Sequence, residues 1–511
     1  MSISSAHVCR RLVLAVIVLA GPCVALGAGA AAGDSPLVDA VARMDQQAIE
    51  VLLGQRVDVT ASQPDGTTAL HWAAHHGDVE LLKRLIDAGA DVSAANRYDI
   101  VPIWLAAENG HAGVVEALLR AGGDPNTTRG ASGETVLMIA ARGGHTDVVQ
   151  RLVAYDADVS ASEDVREQTA LMWAAAEGHL GTVELLAEAG ADFDAQSSTG
   201  ITPLMFAIRS GDIGTTRALL DRGADLTGTG PDGTTMLVLA MLNAHWELAE
   251  ALLDRGADPN RGDALHGRPL QVLALMRRAE NRGLSGVLPR RPTGNIDSIA
   301  LAEALLARGA EINDRIDWSN PMHVPPHMSL SYSMGIGYTG ATPFFVAAKN
   351  CDVEFMKFLL ANGADPSIGT AQNVTPLLAA AGVGYASGES PGTNDEAFDA
   401  VKLLQQLGND VAAIAQDDSV SAFGGSRWSG ATPLHGATYR GATALVEWLI
   451  DEGVPLDHEM QSGQTALDVA QGANLGFIFQ IQPEIAAVLR EAMVARGLPI
   501  PSADDRAADS R

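Results

Sequence analysis

The hexapeptide Thr68-Ala69-Leu70-His71-Trp72-Ala73 returns along this chain at a near-constant step, and that step dictates the architecture. Clear copies stand at Thr135–Ala140, Thr169–Ala174, Thr202–Ala207, Thr342–Ala347 and Thr432–Ala437. Weaker ones begin at Ser35, Val101, Thr235, Arg268, Thr375 and Thr465, which makes twelve units. From Ser35 to Arg268 every step is 33 or 34 residues. A fixed period in the range of roughly 20–50 residues signals a repeat array in which each unit packs on its neighbours.

Within a unit each position has a physical role. The threonine suits a helix N-cap, its hydroxyl accepting from an otherwise orphan backbone N–H. The proline after it, as in Pro203, Pro343 and Pro433, suits the first helical turn, where no donor is needed. Paired alanines let two helices approach closely. Gly110-His111, Gly144-His145 and Gly178-His179 close a short first helix. A second helix carries apolar residues at helical spacing, such as Val114, Val115, Leu118 and Leu119. It ends at Gly89-Ala90-Asp91, Gly190-Ala191-Asp192, Gly223-Ala224-Asp225 or Gly363-Ala364-Asp365, where glycine permits the left-handed conformation. Pro64-Asp65-Gly66 and Pro231-Asp232-Gly233 mark turns leading into the next unit. These units resemble ankyrin repeats, whose hallmark is Thr-Pro-Leu-His-x-Ala followed by Gly-His and a terminal Gly-Ala-Asp. Thr432 to Ala437 matches the first element without a mismatch. The resemblance runs from about Ser35 to Met493 and implies an all-α solenoid of helix-turn-helix units joined by hairpin loops.

The N-terminal residues do not follow the repeat. Arg10 and Arg11 precede an apolar run from Leu12 to Ala20, and small residues continue to Ala32. With Ala28-Gly29-Ala30 and Ala30-Ala31-Ala32 as small-x-small sites, residues 1–32 read as a cleavable export signal. The run is too short to span a bilayer comfortably. Export predicts a periplasmic or secreted protein with no membrane attachment after cleavage. The repeat array is expected over residues 33–496, with atypical capping units at both ends, and the polar composition of 497–511 predicts a disordered tail. Of the three cysteines only Cys351 follows the signal, so no internal disulfide is expected and Cys351 reads as a packed thiol. The formal charge of −28 repels phosphate backbones and anionic lipid. Nucleic acid is therefore excluded as a partner, and a protein with a basic surface fits better.

Two units are interrupted. From Arg268 the next copy lies 74 residues on, and from Thr375 it lies 57 residues on. Insertions at 277–297 and 382–396 fall between the first and second helices. Those at 314–340 and 411–430 fall after the second helix, where the family places its projecting hairpin. The latter carry Trp318, His323, His327, Tyr332, Tyr338, Phe423 and Trp428, a dense supply in a chain that is 5% aromatic. They are expected either to form one partner-binding feature over units eight to ten or to pack down on the array. Met322, His323, His327, Met328 and Met334 supply soft metal donors. Pro325-Pro326 rules out a helical i,i+4 pair, however, and no cysteine or carboxylate cluster completes a site, so neither metal nor cofactor is expected. His71, His111, His145, His179 and His435 occupy repeat-defining positions and read as structural. The chain has no Gly-x-Ser-x-Gly, His-Glu-x-x-His or phosphate-cradling Gly-Lys-Ser/Thr element, which argues against an enzyme.

The resemblance further implies that partners bind the concave face. That face is built from hairpin tips, the residue before the hexapeptide, and the two residues before each Gly-His turn. At the matching positions stand Glu134, Gln168 and Ile201 before the hexapeptide. Before the turn stand His75, His76, Glu108, Asn109, Arg142, Glu177, Arg209, Ser210, Lys349, Asn350, Tyr439 and Arg440. Such mixed chemistry suits recognition of a protein surface. The expectation is an exported, monomeric scaffold that holds another protein. The alternatives are a metal-binding or catalytic accessory protein with its site in the inserted loops, and a secreted effector that binds host proteins.

Overall fold

The computed structural model describes residues 35–263, 267–278, 293–316, 339–384, 392–416, 428–472 and 481–500. Among these, twenty-four α-helices fall into twelve consecutive pairs, from Pro36–Ala42 with Gln46–Gly54 to Ala466–Ala470 with Pro483–Ala495. The pairs are numbered here as repeats 1 to 12. Two compact units divide the chain, Met1–Asp124 with repeats 1 to 3 and Pro125–Arg511 with repeats 4 to 12. Within each unit a first helix packs on its own second helix and on the neighbouring first helix. Hairpin stems are short: Thr128–Arg129 pairs antiparallel with Glu134–Thr135, and single bridges join Ser62 to Thr68, Ser162 to Thr169 and Thr229 to Thr235.

The hexapeptide performs its expected local work. Thr135, Thr169, Thr202, Thr235, Thr342 and Thr375 each accept, through the side chain, the backbone N–H three residues on. That satisfies one of the donors a helix start leaves orphaned, worth about 1 kcal/mol per cap. The leucine and alanines are fully buried, as at Leu70, Ala73 and Ala74, so backbones meet at close range.

Histidine at the fourth position links repeats. The Thr68 N–H donates to His71 Nδ1 (3.1 Å), which leaves the ring proton on Nε2, and Nε2 donates to Ile100 O in the next hairpin (2.9 Å). His435 repeats this between Thr432 N (3.2 Å) and Gln464 O (3.2 Å). In repeat 8 the same bridge is made by Gln271, whose Oε1 accepts from Arg268 N (2.7 Å) and whose Nε2 donates to Asp314 O (2.9 Å). Repeat 12 carries Asp468, whose carboxylate accepts from Thr465 N (2.9 Å) and Oγ1 (2.7 Å). A carboxylate has no proton to donate onward, so this side chain caps its own helix without making the forward link of His71 or Gln271.

A second histidine reaches backwards. His111 Nε2 donates to His75 O (3.0 Å), and His179 Nε2 donates to Arg142 O (3.0 Å). The ring of His111 lies over Gly77, where a Cβ would meet Nδ1 at 2.7 Å and where φ is +75°. Glycine is therefore required twice at that position, for the turn and for the ring of the following repeat.

The first-to-second-helix insertions leave ordered ends on the array. Thr293 N donates to Ala244 O (3.0 Å), and Asn295 N donates to Glu247 Oε2 (2.9 Å). The segment read as an insertion up to Glu396 cedes its last three residues to the helix Asn394–Gln406. The cause is a capping box, in which Thr393 N donates to Glu396 Oε2 (2.7 Å) and Glu396 N donates to Thr393 Oγ1 (3.2 Å). Arg277, at the end of the first helix of repeat 8, donates to both carboxylate oxygens of Asp352 (2.7 and 3.2 Å) and to Glu354 (2.7 Å). Its guanidinium also lies 4.8 Å from the Phe355 ring centre. Arg278 beside it bonds Glu396 (2.9 Å), so one pair of arginines ties repeat 8 to repeats 9 and 10.

Candidate inner-face recognition surface

The inner face is formed by the sides of the first helices turned away from their second helices. Its centre line is the fifth position of the hexapeptide, one residue beyond the linking histidine. In repeats 2 to 7 that position holds Trp72, Leu105, Ile139, Trp173, Phe206 and Leu239, and all but Ile139 are partly exposed. From repeat 8 onward it holds Val272, Val346, Ala379, Gly436 and Val469, every one buried. Trp72, Trp173 and Phe206 are absent from the residues that the resemblance carries over. A signal for them was nonetheless present, as an aromatic recurring at one fixed offset.

In the unit Met1–Asp124, Trp72 stacks on His76 (ring centres 5.8 Å apart) and meets His75 edge-on at the same distance. Asn109 Nδ2 bonds His75 Nδ1 (3.2 Å), and Glu108 beside it is half-buried. Burial, then the neighbouring His76 and His111, hold His75 below the usual imidazole range.

In the unit Pro125–Arg511, the guanidinium of exposed Arg142 lies 4.9 Å from the ring centre of Trp173 in the next repeat. The Trp173 indole N–H is enclosed and has no acceptor among the described residues. Glu177 and Ser210 are exposed and Arg209 is half-buried, and all three lie on the same run of first helices. Glu134, Gln168 and Ile201 are half-buried at the hairpin bases. There Glu134 pairs with Arg129, while Gln168 O and Ile201 O accept from Glu163 N and Ser197 N (both 3.0 Å).

The remaining expected contacts are internal. Lys349, Asn350 and Tyr439 were placed on the partner face by the resemblance, but the structure buries them, and Trp428 of the inserted segment packs down on the array, the second of its two expected outcomes. Asn350 Nδ2 donates to Ala274 O (3.0 Å), Trp428 packs edge-on against Tyr439 (5.2 Å), and Gly392 lies against Cys351 and Asn350 O. Arg440 is half-buried, and its guanidinium donates to Gly392 O (2.8 Å) and Thr393 O (3.0 Å). The first helices of repeats 9 and 10 are buried over every residue, so that face is already occupied by this chain. Trp318, His323, His327, Tyr332, Tyr338 and Phe423 lie outside the described residues, as do residues 1–34 and 501–511. Among the described residues no group of three His, Cys, Asp or Glu side chains is arranged to hold a metal ion, and no helix is long and apolar enough to cross a membrane.

A repeated helix pair, a threonine cap at most first helices and histidines that bond the backbone of a neighbouring pair define a class of stacked-repeat binding modules. The family model described as ankyrin repeats (3 copies) matches residues 12–96, 37–129, 103–197 and 189–263, and the ankyrin repeat model matches 339–368. These matches span more than half of the sequence, and the chain belongs to the ankyrin repeat family. Among solved structures, the crystal structure of the human ASB11 ankyrin repeat domain is similar, at 27% identity and a TM-score of 0.40. The match covers 44% of this chain and all of that one. No curated protein matches.

Proposed function

We propose that this chain is an exported interaction scaffold that holds another protein on the inner face of repeats 4 to 6. The observation that carries the reading is Trp173, half-exposed and overlain by the guanidinium of exposed Arg142. Large aromatics with an adjoining arginine are the residues that dominate protein interfaces. Phe206 extends the apolar surface into the next repeat, and Glu177 and Ser210 supply a polar border. Repeats 9 to 11 support the same assignment from the other side, since their inner face is filled from within the chain.

The test places a photo-crosslinking amino acid at Glu177, at Ser210, or at Glu184 on an exposed second-helix face. The expected result is one common adduct from the first two sites and none from Glu184, with the yield reduced at least tenfold by Trp173→Ala. Equal adducts from all three sites would sink the assignment.

Export rests on Arg10-Arg11, the apolar run that follows and the small residues up to Ala32. N-terminal sequencing of protein recovered from the periplasm or medium should begin within a few residues of Ala32. A chain that keeps Met1 and stays in the cytoplasm overturns export while leaving the scaffold reading intact.

A further inference from the structure

The outer side of the array, formed by the second helices, changes character at repeat 9. Through repeats 5 to 8 it is tied by a ladder of ion pairs. Arg222, Arg255 and Arg308, each the residue that follows a second helix, reach Glu188 (3.6 Å), Asp221 (2.7 Å) and Asp254 at the end of the preceding second helix. In repeats 9, 10 and 11 the same position holds Asn362, Leu407 and Glu452, and the ladder stops.

An apolar stripe begins where the ladder ends. The second helices bury a leucine at one fixed place, as at Leu219, Leu252 and Leu359. The residue before it is Ala218, Ala251 and Ala304 in repeats 6 to 8, but half-buried Phe358, Leu403 and Trp448 in repeats 9 to 11. The second helix of repeat 10, Asn394–Gln406, also has 13 residues against 9 in repeats 9 and 11. Half-buried Phe398, one turn into it, meets Trp448 edge-on (ring centres 5.8 Å apart).

The charges around these rings are one-sided. Asp395 lies three residues before Phe398 and Asp451 three residues after Trp448, so each shares a helix face with its ring. Asp399 and Glu447 border them, and Glu452 accepts from Gln405 Nε2 (2.7 Å). Asp395, Asp399, Glu447 and Asp451 are exposed and form no ion pair among the described residues. Glu354 and Glu396 are answered by Arg277 and Arg278. The cations on these three helices are Lys357 and Lys402, and Lys402 Nζ already lies 4.1 Å from the Phe398 ring centre. The last helix, in repeat 12, adds Glu484, Arg490 and Glu491, which leaves the balance acidic.

We propose that the outer face of repeats 9 to 11 is a docking surface for a basic amphipathic helix of another protein. Its apolar side covers Phe358, Leu403 and Trp448, and its lysines or arginines meet the four unanswered carboxylates. Charge complementarity sets the sign of the occupant, and the same carboxylates repel anionic lipid. Packed helices stand roughly 8–10 Å apart and a helix rises about 1.5 Å per residue, so a helix lying across the stripe offers one apolar residue to each repeat about every seven residues. The Lys402 contact with Phe398 shows within this chain that such a ring takes a cation on its face. This surface belongs to the second helices, so it stands whether or not the inner face of repeats 4 to 6 holds a partner.

The test uses the purified full chain and a fluorescein-labelled peptide with Leu at heptad positions a and d and Ala and Lys elsewhere, with affinity measured by anisotropy. The unmodified chain should bind it, more tightly at low than at high salt. Asp395→Asn/Asp399→Asn/Glu447→Gln/Asp451→Asn, all at exposed positions, should weaken binding about tenfold or more. Trp448→Ala, checked for unchanged helicity by circular dichroism, should do the same. Asp87→Asn/Asp99→Asn/Glu184→Gln/Asp194→Asn removes equal charge from exposed positions elsewhere and should leave affinity unchanged. A scrambled peptide of the same composition, without an apolar side, should bind about tenfold more weakly. No binding at low salt overturns the proposal, and so does equal weakening by the two charge variants or equal binding of the scrambled peptide. None of these results touches the crosslinks from Glu177 and Ser210, on which the scaffold reading stands or falls.

Discussion

His435 combines a cap, a link to the next repeat and a titration, and the three can be separated by substitution. Burial pushes its imidazole down to about 4 from 6.5. The folded state holds the neutral ring while the unfolded chain binds a proton at ordinary pH, so stability from this residue is present above pH 6.5 and is lost as pH falls toward 4. The shift corresponds to about 3 kcal/mol across that window. Gln271 shows that a side-chain amide makes the same two bonds. His435→Gln should therefore change stability at pH 7 by less than about 1 kcal/mol and flatten its decline between pH 6.5 and 4. His435→Ala, which strands Thr432 N and Gln464 O, should cost about 2–4 kcal/mol. Thermal or urea melts of the three proteins at pH 7 and pH 4.5 decide it. At Gly77 the left-handed φ and the His111 ring both oppose a side chain, and Gly77→Ala should cost about 2–4 kcal/mol in the same assay. These two roles were readable from the repeated Thr-x-x-His and Gly-His patterns. The burial that displaces the titration of His435 was not, because it depends on what packs over the ring.

At the scale of elements, the arginine pair after the first helix of repeat 8 holds three repeats in register. The Arg277 and Asp352 side chains are 10% and 1% exposed, and Asp352 also caps the helix Val353–Ala361 through Phe355 N (3.2 Å). Removing Arg277 leaves the buried Asp352 carboxylate with only the more distant Arg278 Nε (3.9 Å) as a cation, so Arg277→Ala should destabilise by about 2–4 kcal/mol. Adding Asp352→Asn removes that stranded charge and keeps a capping side chain. The double variant should then be more stable than Arg277→Ala alone, and a double-mutant cycle in urea measures the difference. None of this was legible as sequence: Arg277 stood at the edge of an apparent insertion, 75 residues from Asp352. The fate of Lys349, Asn350 and Tyr439 has the same origin. Their position before a turn matched a partner-facing site, and only the packing of neighbouring segments made them internal.

Across the whole molecule, the twelve repeats differ in how much of their inner face meets solvent. First helices with no exposed residue, Pro343–Lys349 and Pro376–Ala381, should exchange their amide hydrogens more slowly than Ala170–Glu177 and Pro203–Ser210, whose inner sides carry exposed Glu177 and Ser210. Hydrogen-exchange mass spectrometry on the full chain reads this directly, and equal protection of both sets would contradict the closed inner face of the later repeats. The sequence alone determined the family, the number of helix pairs and the threonine cap at eight of the twelve first helices. Those features are local, since a threonine, a proline and two alanines act within a single turn and recur at a fixed period. The tertiary structure alone decided which part of the inner face stays open and which histidines can titrate. Both are set by groups dozens of residues away, whose meeting no local pattern records.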